Sequence, residues 1–442
     1  MTGAWIVGGA LRDELLGRPV RDVDVAVAGD PEPAARELAR ELGGPVFRLS
    51  EAFGAWRVID RAAGRVFDFS PLQGETIEED LRRRDFTVNA MARPREGGDL
   101  IDPLGGRADL ESGTLRVLGA GAYEQDPLRA LRLARFAAEL GFTPDAQTER
   151  LTRAAAPRVA EAAGERVFAE LRRLVTAGGV LEGLELADRL GVLDAVLPEL
   201  AHLHAIEQSR YHHLDVYDHT LEVLERLVEL DGDASPRLRS VLDETLGDEL
   251  TRGQALRLGA LLHDIGKPAT RAVRDDGRVT FMGHDRVGEQ MVLALCRRLR
   301  TSDRLARFLA GVTRHHLVLG FLVHQRPLDR RAHYRYITRT SPVEVEVTLL
   351  SCADRLATGG RKAQQATSAH LDLAASLMEA ALDWREHGPP RPPVRGDELA
   401  RELQLEPGPE LGRLLEELTE AAYAGEAQTR SEALALARRL RP

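Results

Sequence analysis

Two aspartates separated by one valine, Asp22-Val23-Asp24, constrain this chain more than any other feature in it. In a β-strand, residues i and i+2 project from the same face. A strand here therefore sets two carboxylates side by side. Anions that close repel unless a cation lies between them. The natural occupant is Mg²⁺, a hard ion that takes a few carboxylates together with substrate phosphates. Upstream, Gly8-Gly9 follows the apolar run Trp5-Ile6-Val7 and precedes a helical stretch over residues 10–16. A Gly-Gly turn at such a junction lets backbone approach phosphate closely, and Arg12 adds a charged donor. The spacing predicts strands over 5–7, 23–27, 45–49, 55–59 and 65–69, with helices over 10–16 and 31–42, which makes a small α/β domain. Asp68 alternates with apolar residues in Val66-Phe67-Asp68-Phe69. That pattern fits a third carboxylate of the metal site or a strand end facing solvent.

The chain has 442 residues, enough for two or more domains. No apolar run approaches the ~20 residues of a membrane span. Strand-like sequence begins at once, so no leader peptide is expected. Two cysteines, Cys296 and Cys352, supply no disulfide framework, and a cytoplasmic protein without membrane contact is expected. The net charge of −10 argues against nucleic-acid binding over the whole surface while allowing a local basic face. Lysine occurs twice and asparagine once, and Lys267 and Asn89 both fall inside motifs described below.

Residues 77–92, IEEDLRRRDFTVNAMA, place three arginines before an apolar run that reads as helical and includes Asn89. Arg84 and Asp85 are within reach of a nucleotide's sugar and phosphates, because arginine forks bind phosphate well. Residues 125–140 read as one helix with Asp126 as N-cap and Pro127 at the favoured first position. Asp126, Arg129, Arg132 and Arg135 recur every three residues along it. On their pairing edges C and A present an amino donor beside a ring-nitrogen acceptor, whereas G and U present the reverse. A carboxylate only accepts and a guanidinium only donates. Asp126 with Arg129 thus accepts C and A, and a wrong base leaves a buried charge unpaired.

The histidines concentrate in residues 201–370. His219, His263-Asp264, His284, His315-His316 and Asp354 occur in that order. An adjacent His-Asp pair can ligate one metal while the Asp bridges to a second. Imidazole with carboxylate suits Mn, Ni, Co, Fe or Zn. Metal-bound water attacks phosphoesters, and Lys267 can hold the phosphate.

Residues 7–24 resemble the nucleotidyltransferase signature of the DNA polymerase β superfamily. RRDFTVNA and Asp102-Pro103-Leu104-Gly105-Gly106-Arg107-Ala108-Asp109-Leu110 resemble blocks of the class II tRNA nucleotidyltransferase and poly(A) polymerase family. The resemblance implies that Asp22 and Asp24, with Asp68, hold Mg²⁺ and activate an RNA 3′-hydroxyl. It implies nucleotide contacts from Gly8, Gly9, Arg12, Arg84, Asp85 and Asn89. Asp126 and Arg129 would choose the base, and Arg132 and Arg135 would touch phosphates. The block Glu165-Arg166-Val167-Phe168 would support the pocket from behind. The histidine set resembles an HD phosphohydrolase domain. His219, His263, Asp264 and Asp354 match its core ligands, and His284, His315 and His316 match the extra ligands of two-metal members. Its implied substrates are phosphomonoesters or 2′,3′-cyclic phosphates. The short segment between Phe69 and the RRDF block lacks the insert of CCA-adding members and resembles enzymes that add only two Cs, as well as some poly(A)-polymerase-like members.

The expected fold is α+β. A nucleotidyltransferase head (1–120) precedes an all-α nucleotide-selecting neck (121–200), an HD domain (201–370) and a helical tail (371–442) that includes the stiff Pro389–Pro393 linker. The expected activity is template-independent addition of CC, or CCA, from CTP and ATP to a tRNA 3′ end. Alternatives are a poly(A) polymerase acting on general RNA and an HD phosphohydrolase with a sensory nucleotidyltransferase-like half.

Overall fold

The structure is a computed structural model that describes residues 3–51, 53–208, 214–358 and 363–441. It divides into two compact units, Met1–Pro198 and Glu199–Pro442.

The first unit opens with β1 (Ala4–Val7), α1 (Gly9–Leu15), β2 (Asp22–Val27), α2 (Pro31–Leu42), β3 (Val46–Ser50), β4 (Ala55–Asp60) and β5 (Arg65–Pro71). Then come α3 (Ile77–Arg82), a 3₁₀ turn (Thr87–Asn89) and β6 (Ala92–Pro94). The six strands form one sheet in the order β3-β4-β5-β2-β1-β6. β2 and β5 are parallel, and the other pairs are antiparallel. One sheet face is sealed by α2. Its Ala35 and Leu38 pack on Val23, Val25, Val27, Val58 and Phe69, each large aliphatic contributing roughly 1.5–3 kcal/mol on burial. α2 starts where Asp30 accepts from the Glu32 N–H and stops at Gly43 in the left-handed region. The other face is covered only around β1 and the end of β2, where Val7 and Ala26 meet Ile77 and Leu81 of α3 and Ala90.

Two helical expectations fail locally. The run after Arg84 makes a single 3₁₀ turn and then β6. Asp85 Oδ1 takes the Phe86 N–H at 2.8 Å and Asn89 Nδ2 at 3.0 Å, and such local side-chain bonds compete with helix continuation. Residues 125–140 are not one helix. α4 (Gly106–Ser112) is followed by α5 (Ala120–Gln125) and α6 (Arg129–Leu140), with Asp126 extended between the last two at φ −151°, ψ 98°. A residue before proline is forced out of the helical region. Asp126 therefore ends α5, while its Oδ1 accepts from the Leu128 N–H at 3.3 Å. The Asp102 block has a structural task, as its carboxylate takes the N–H groups of Gly106 and Arg107 at 2.7 and 2.9 Å and starts α4. The unit continues with α7 (Ala146–Ala155), α8 (Gly164–Thr176) and α9 (Val180–Arg189), and α6 packs on α8 and α9.

The second unit is mostly helical. Its long helices include Val216–Gly232, Arg252–Leu262, His284–Leu299, Asp303–His315 and Glu344–Leu356. At the end of the chain, helices Gly396–Leu403, Pro409–Ala424 and Arg430–Leu440 enclose their own core of Leu399, Leu414, Leu418 and Leu434. Among the described residues no helix is long and apolar enough to cross a membrane.

Candidate active cleft and metal centre

A cleft of about 620 Å³ in the first unit is lined by Gly8, Gly9, Arg12, Asp22, Asp24, Arg84, Asp85, Asn89, Arg129, Arg132 and Arg135. All were singled out in the sequence. β2 presents Asp22 and Asp24 toward it, and Asp24 pairs in register with Asp68 of β5. Asp24 is held above the usual carboxylate range, first by desolvation and then by Asp68 and Asp22, against the opposing pull of Arg84 and Arg57. Gly8, at φ +71°, is required here: a Cβ would lie 2.9 Å from Arg84 Nη1 and 3.5 Å from Asp24 Oδ2. Asp68 is not among the lining residues. Arg57 grips both its oxygens at 2.7 Å.

Behind the carboxylates runs a polar chain. Arg12 donates to Asn89 Oδ1 at 2.8 Å, Asn89 donates to Asp85 at 3.0 Å, and Arg132 donates to the other Asp85 oxygen at 3.0 Å. Burial pushes the Asp85 carboxyl up, but Arg132, Asn89 and the Phe86 N–H outweigh it and hold it below the usual range. Arg132 and Arg135 share Glu170 of α8, at 3.1 and 2.5 Å.

The side chains of the proposed base-reading pair form no hydrogen bond or ion pair with each other, although the Arg129 N–H donates to the Asp126 carbonyl at 3.1 Å. Asp126 Oδ2 accepts from Arg166 of α8 at 2.7 Å. Arg129 donates to the carbonyls of Arg83, Arg84 and Ala122 at 2.8–3.1 Å. Its Nε is buried with no hydrogen-bond partner. The sequence reading did not assign individual roles to Glu170, Arg166, Asp80 or Arg57. Asp80 aims Arg84, accepting from its Nε and Nη2 at 3.1 and 3.0 Å while its other oxygen takes the Gln73 N–H at 2.9 Å. The available signal was Glu170, one helical turn after Arg166 on a helix already expected behind the pocket.

In the second unit the histidines converge. His263 and His316 each follow the end of a helix, and His284 begins one. Their Nδ1 atoms lie 2.7 Å from the carbonyls of Ala260, Phe281 and Thr313. Donation from Nδ1 leaves each Nε2 lone pair free for a metal. The three Nε2 atoms lie 3.2, 3.2 and 3.7 Å from Asp264 oxygens. Among the described residues two buried groups have ligand atoms mutually within 4.8 Å: His219, His263 and Asp264, and Asp264, His284 and His316. Asp264 belongs to both, as a bridging carboxylate does. Asp354 contacts His219 at 3.0 Å. His315, expected as a ligand, belongs to neither group. It precedes the helix end that aims His316, and consecutive helical residues point about 100° apart. Lys267 lies 2.6 Å from Asp264 and donates to Gln208 at 2.7 Å. The buried His263 Nε2 has no aligned hydrogen-bond partner, as expected of a metal ligand without its ion. Gly266 permits the crossing of the two segments, since a Cβ would sit 2.2 Å from the His284 carbonyl oxygen.

Family models match in three places: the poly A polymerase head domain over residues 4–116, the probable RNA and SrmB-binding site of polymerase A over 141–203, and the HD domain over 216–359. The chain is 38% identical to an A-adding tRNA nucleotidyltransferase of Deinococcus radiodurans, across 99% of this chain and 95% of that one. The chain belongs to the tRNA nucleotidyltransferase and poly(A) polymerase family. A CC-adding member of this family from Thermus thermophilus is 37% identical over 98% of this chain and 92% of its own. The fold is that of the Thermotoga maritima CCA-adding enzyme solved with tRNA, at a TM-score of 0.65 and 21% identity over 99% and 91% of the two chains. Within the family frame, Asp22, Asp24 and Asp85 fall in the head match and Glu170 in the RNA-binding match, while Arg129, Arg132 and Arg135 lie between the two.

Proposed function

We propose that the chain extends tRNA 3′ ends with two cytidylates, choosing CTP without a template. The observation that carries this is the cleft itself: neighbouring strand carboxylates face a wall of arginines. Asp22 and Asp24 suit Mg²⁺, because their donors are hard oxygens and the Asp24 anion is disfavoured first by burial and then by neighbouring carboxylates, which a cation would offset. Mg²⁺ bound there supplies electrostatic stabilisation to the 3′-oxygen and the departing pyrophosphate. Arg84, aimed by Asp80, and Arg12 hold phosphates. Asp126, steadied by Arg166, accepts from the base amino group, and Arg129 Nε donates to the ring nitrogen. The link from β5 to α3 spans only residues 72–76, which supports CC over CCA addition.

For the second unit we propose a phosphohydrolase centre for phosphomonoesters or 2′,3′-cyclic phosphates. His219, His263, Asp264 and Asp354 would hold one of Mn, Ni, Co, Fe or Zn, with His284 and His316 serving a second ion.

The test is to give the full chain a tRNA lacking its 3′ end, with labelled CTP and ATP separately and together, and to sequence the products. Two added Cs are expected. A single A placed after CC would assign the A-adding role, a long A tail would make the chain a poly(A) polymerase, and no incorporation would refute the reading. For the second unit, 2′,3′-cyclic AMP hydrolysis with Mn²⁺ or Ni²⁺ should vanish in His263→Ala/Asp264→Ala.

A further inference from the structure

The sheet carries an uncovered half-face that the cleft does not use. Residues paired across neighbouring strands point to the same side. From Asp24 the row therefore runs outward through Asp68 and Arg57 to Phe47, and from Asp22 through Val66 to Ile59. The opposite face is closed by α2, and the β1 side of this face is closed by α3. On the β5-β4-β3 side the side chains stay open. Phe47 is 44% exposed, Leu49 at the bulge of β3 is 43%, and Phe53 in the following turn is 77%. Ile59 and Val66 are half-buried. Exposed apolar residues that cluster, instead of scattering singly, mark a binding surface.

We propose that this strip is the platform for the single-stranded end of the RNA substrate, with Phe47 stacking on a base upstream of the reacting nucleotide. The inference rests on the nucleotidyltransferase reading above. The reaction needs a 3′-hydroxyl at Asp22 and Asp24, so the strand that bears it must leave over one side of the sheet. α3 and the turn behind it block the β1 side. The open route crosses Arg57, which is half-exposed beside Asp68, and reaches Phe47. Three strand spacings of about 4.8 Å set Phe47 about 14 Å from Asp24, a distance that an extended single strand covers in a few nucleotides. An exposed aromatic ring accepts any base by its π-face, and an arginine beside it meets the backbone, the pairing that single-strand platforms use. The strip is continuous with the carboxylates, so an occupant seated on it delivers its end to the metal site.

The experiment compares Phe47→Ala, Phe47→Leu and Phe47→Tyr with wild type and with Phe321→Ala, an exposed apolar residue of the second unit. Steady-state incorporation gives KM separately for CTP and for tRNA lacking its 3′ end. Fluorescence anisotropy with the same labelled tRNA gives Kd without turnover. Phe47→Ala and Phe47→Leu should raise KM and Kd for the RNA at least about fivefold, the low end of base–aromatic stacking, with KM for CTP unchanged. Phe47→Tyr should restore wild-type RNA values, and Phe321→Ala should not alter them. RNA affinity unchanged in Phe47→Ala, or wild-type affinity in Phe47→Leu, would overturn the platform. So would a wild-type dimer that Phe47→Ala converts to monomer, since the strip would then seat a second copy. Wild-type protein that binds RNA through Phe47 yet adds no nucleotide would instead refute the nucleotidyltransferase reading.

Discussion

Asp85 is where the cleft's polar chain converges, and its neighbours decide its charge. Its folded-state pKa is depressed, so its ion pair with Arg132 contributes fully above the unfolded value near 3.9 and is lost as pH falls through the folded value. Asp85→Asn should cost about 3 kcal/mol at neutral pH, because it leaves a largely buried guanidinium with one partner fewer. The deficit should begin to shrink as pH falls below about 4, where the unfolded chain takes up the proton, and should vanish only below the depressed folded value, where the native carboxylate takes it too. Urea unfolding at a series of pH values reads this, and a deficit independent of pH would contradict it. Arg166 acts one step back from the base. Arg166→Ala frees Asp126 from its 2.7 Å partner, and the preference for CTP over UTP should drop by at least about tenfold. Single-nucleotide incorporation assays measure that ratio, and an unchanged preference would remove Asp126 from base selection.

At the scale of elements, positions set by short spacing were readable in the sequence, and partners drawn from distant helices were not. The Asp22–Asp24 alternation and the Gly8 junction need only local geometry, so β1, α1 and β2 stand close to where they were expected. The helix over 125–140 begins only at Arg129: Pro127 holds Asp126 extended, which suits its expected place as a cap, and Gln125 closes a separate helix. Glu170 between Arg132 and Arg135 comes from an element separated along the chain, and Arg57 on Asp68 depends on the register of the β4-β5 hairpin, which alternation within each strand does not set. His315 was expected as a ligand from the resemblance to two-metal HD members, and it lies in neither buried ligand group. The junction between helices 252–262 and 284–299 depends on Gly266, whose missing side chain admits the His284 carbonyl. Gly266→Ala should destabilise the second unit by about 3 kcal/mol through overpacking against backbone. Its thermal transition should fall and metal binding weaken. A variant as stable as wild type would mean that the crossing is looser than the structure has it.

Across the whole molecule, two compact units each carry a cluster of metal-binding chemistry, carboxylates in Met1–Pro198 and histidines with aspartates in Glu199–Pro442. An ion that binds only the folded state stabilises it by about 2.7 kcal/mol at a hundred times its Kd. Mn²⁺ or Ni²⁺ should therefore raise the melting temperature of wild type by more than that of His263→Ala/Asp264→Ala, which keeps only the carboxylate cluster; an equal rise in both would place the ion elsewhere. The central claim is that the strand carboxylates of the head perform nucleotide addition. Its most direct measurement is incorporation of labelled CTP into tRNA lacking its 3′ end by Asp22→Asn/Asp24→Asn, beside wild type, with circular dichroism to show that both fold. The account predicts an intact fold and incorporation reduced at least about a hundredfold. Incorporation at the wild-type rate would contradict it.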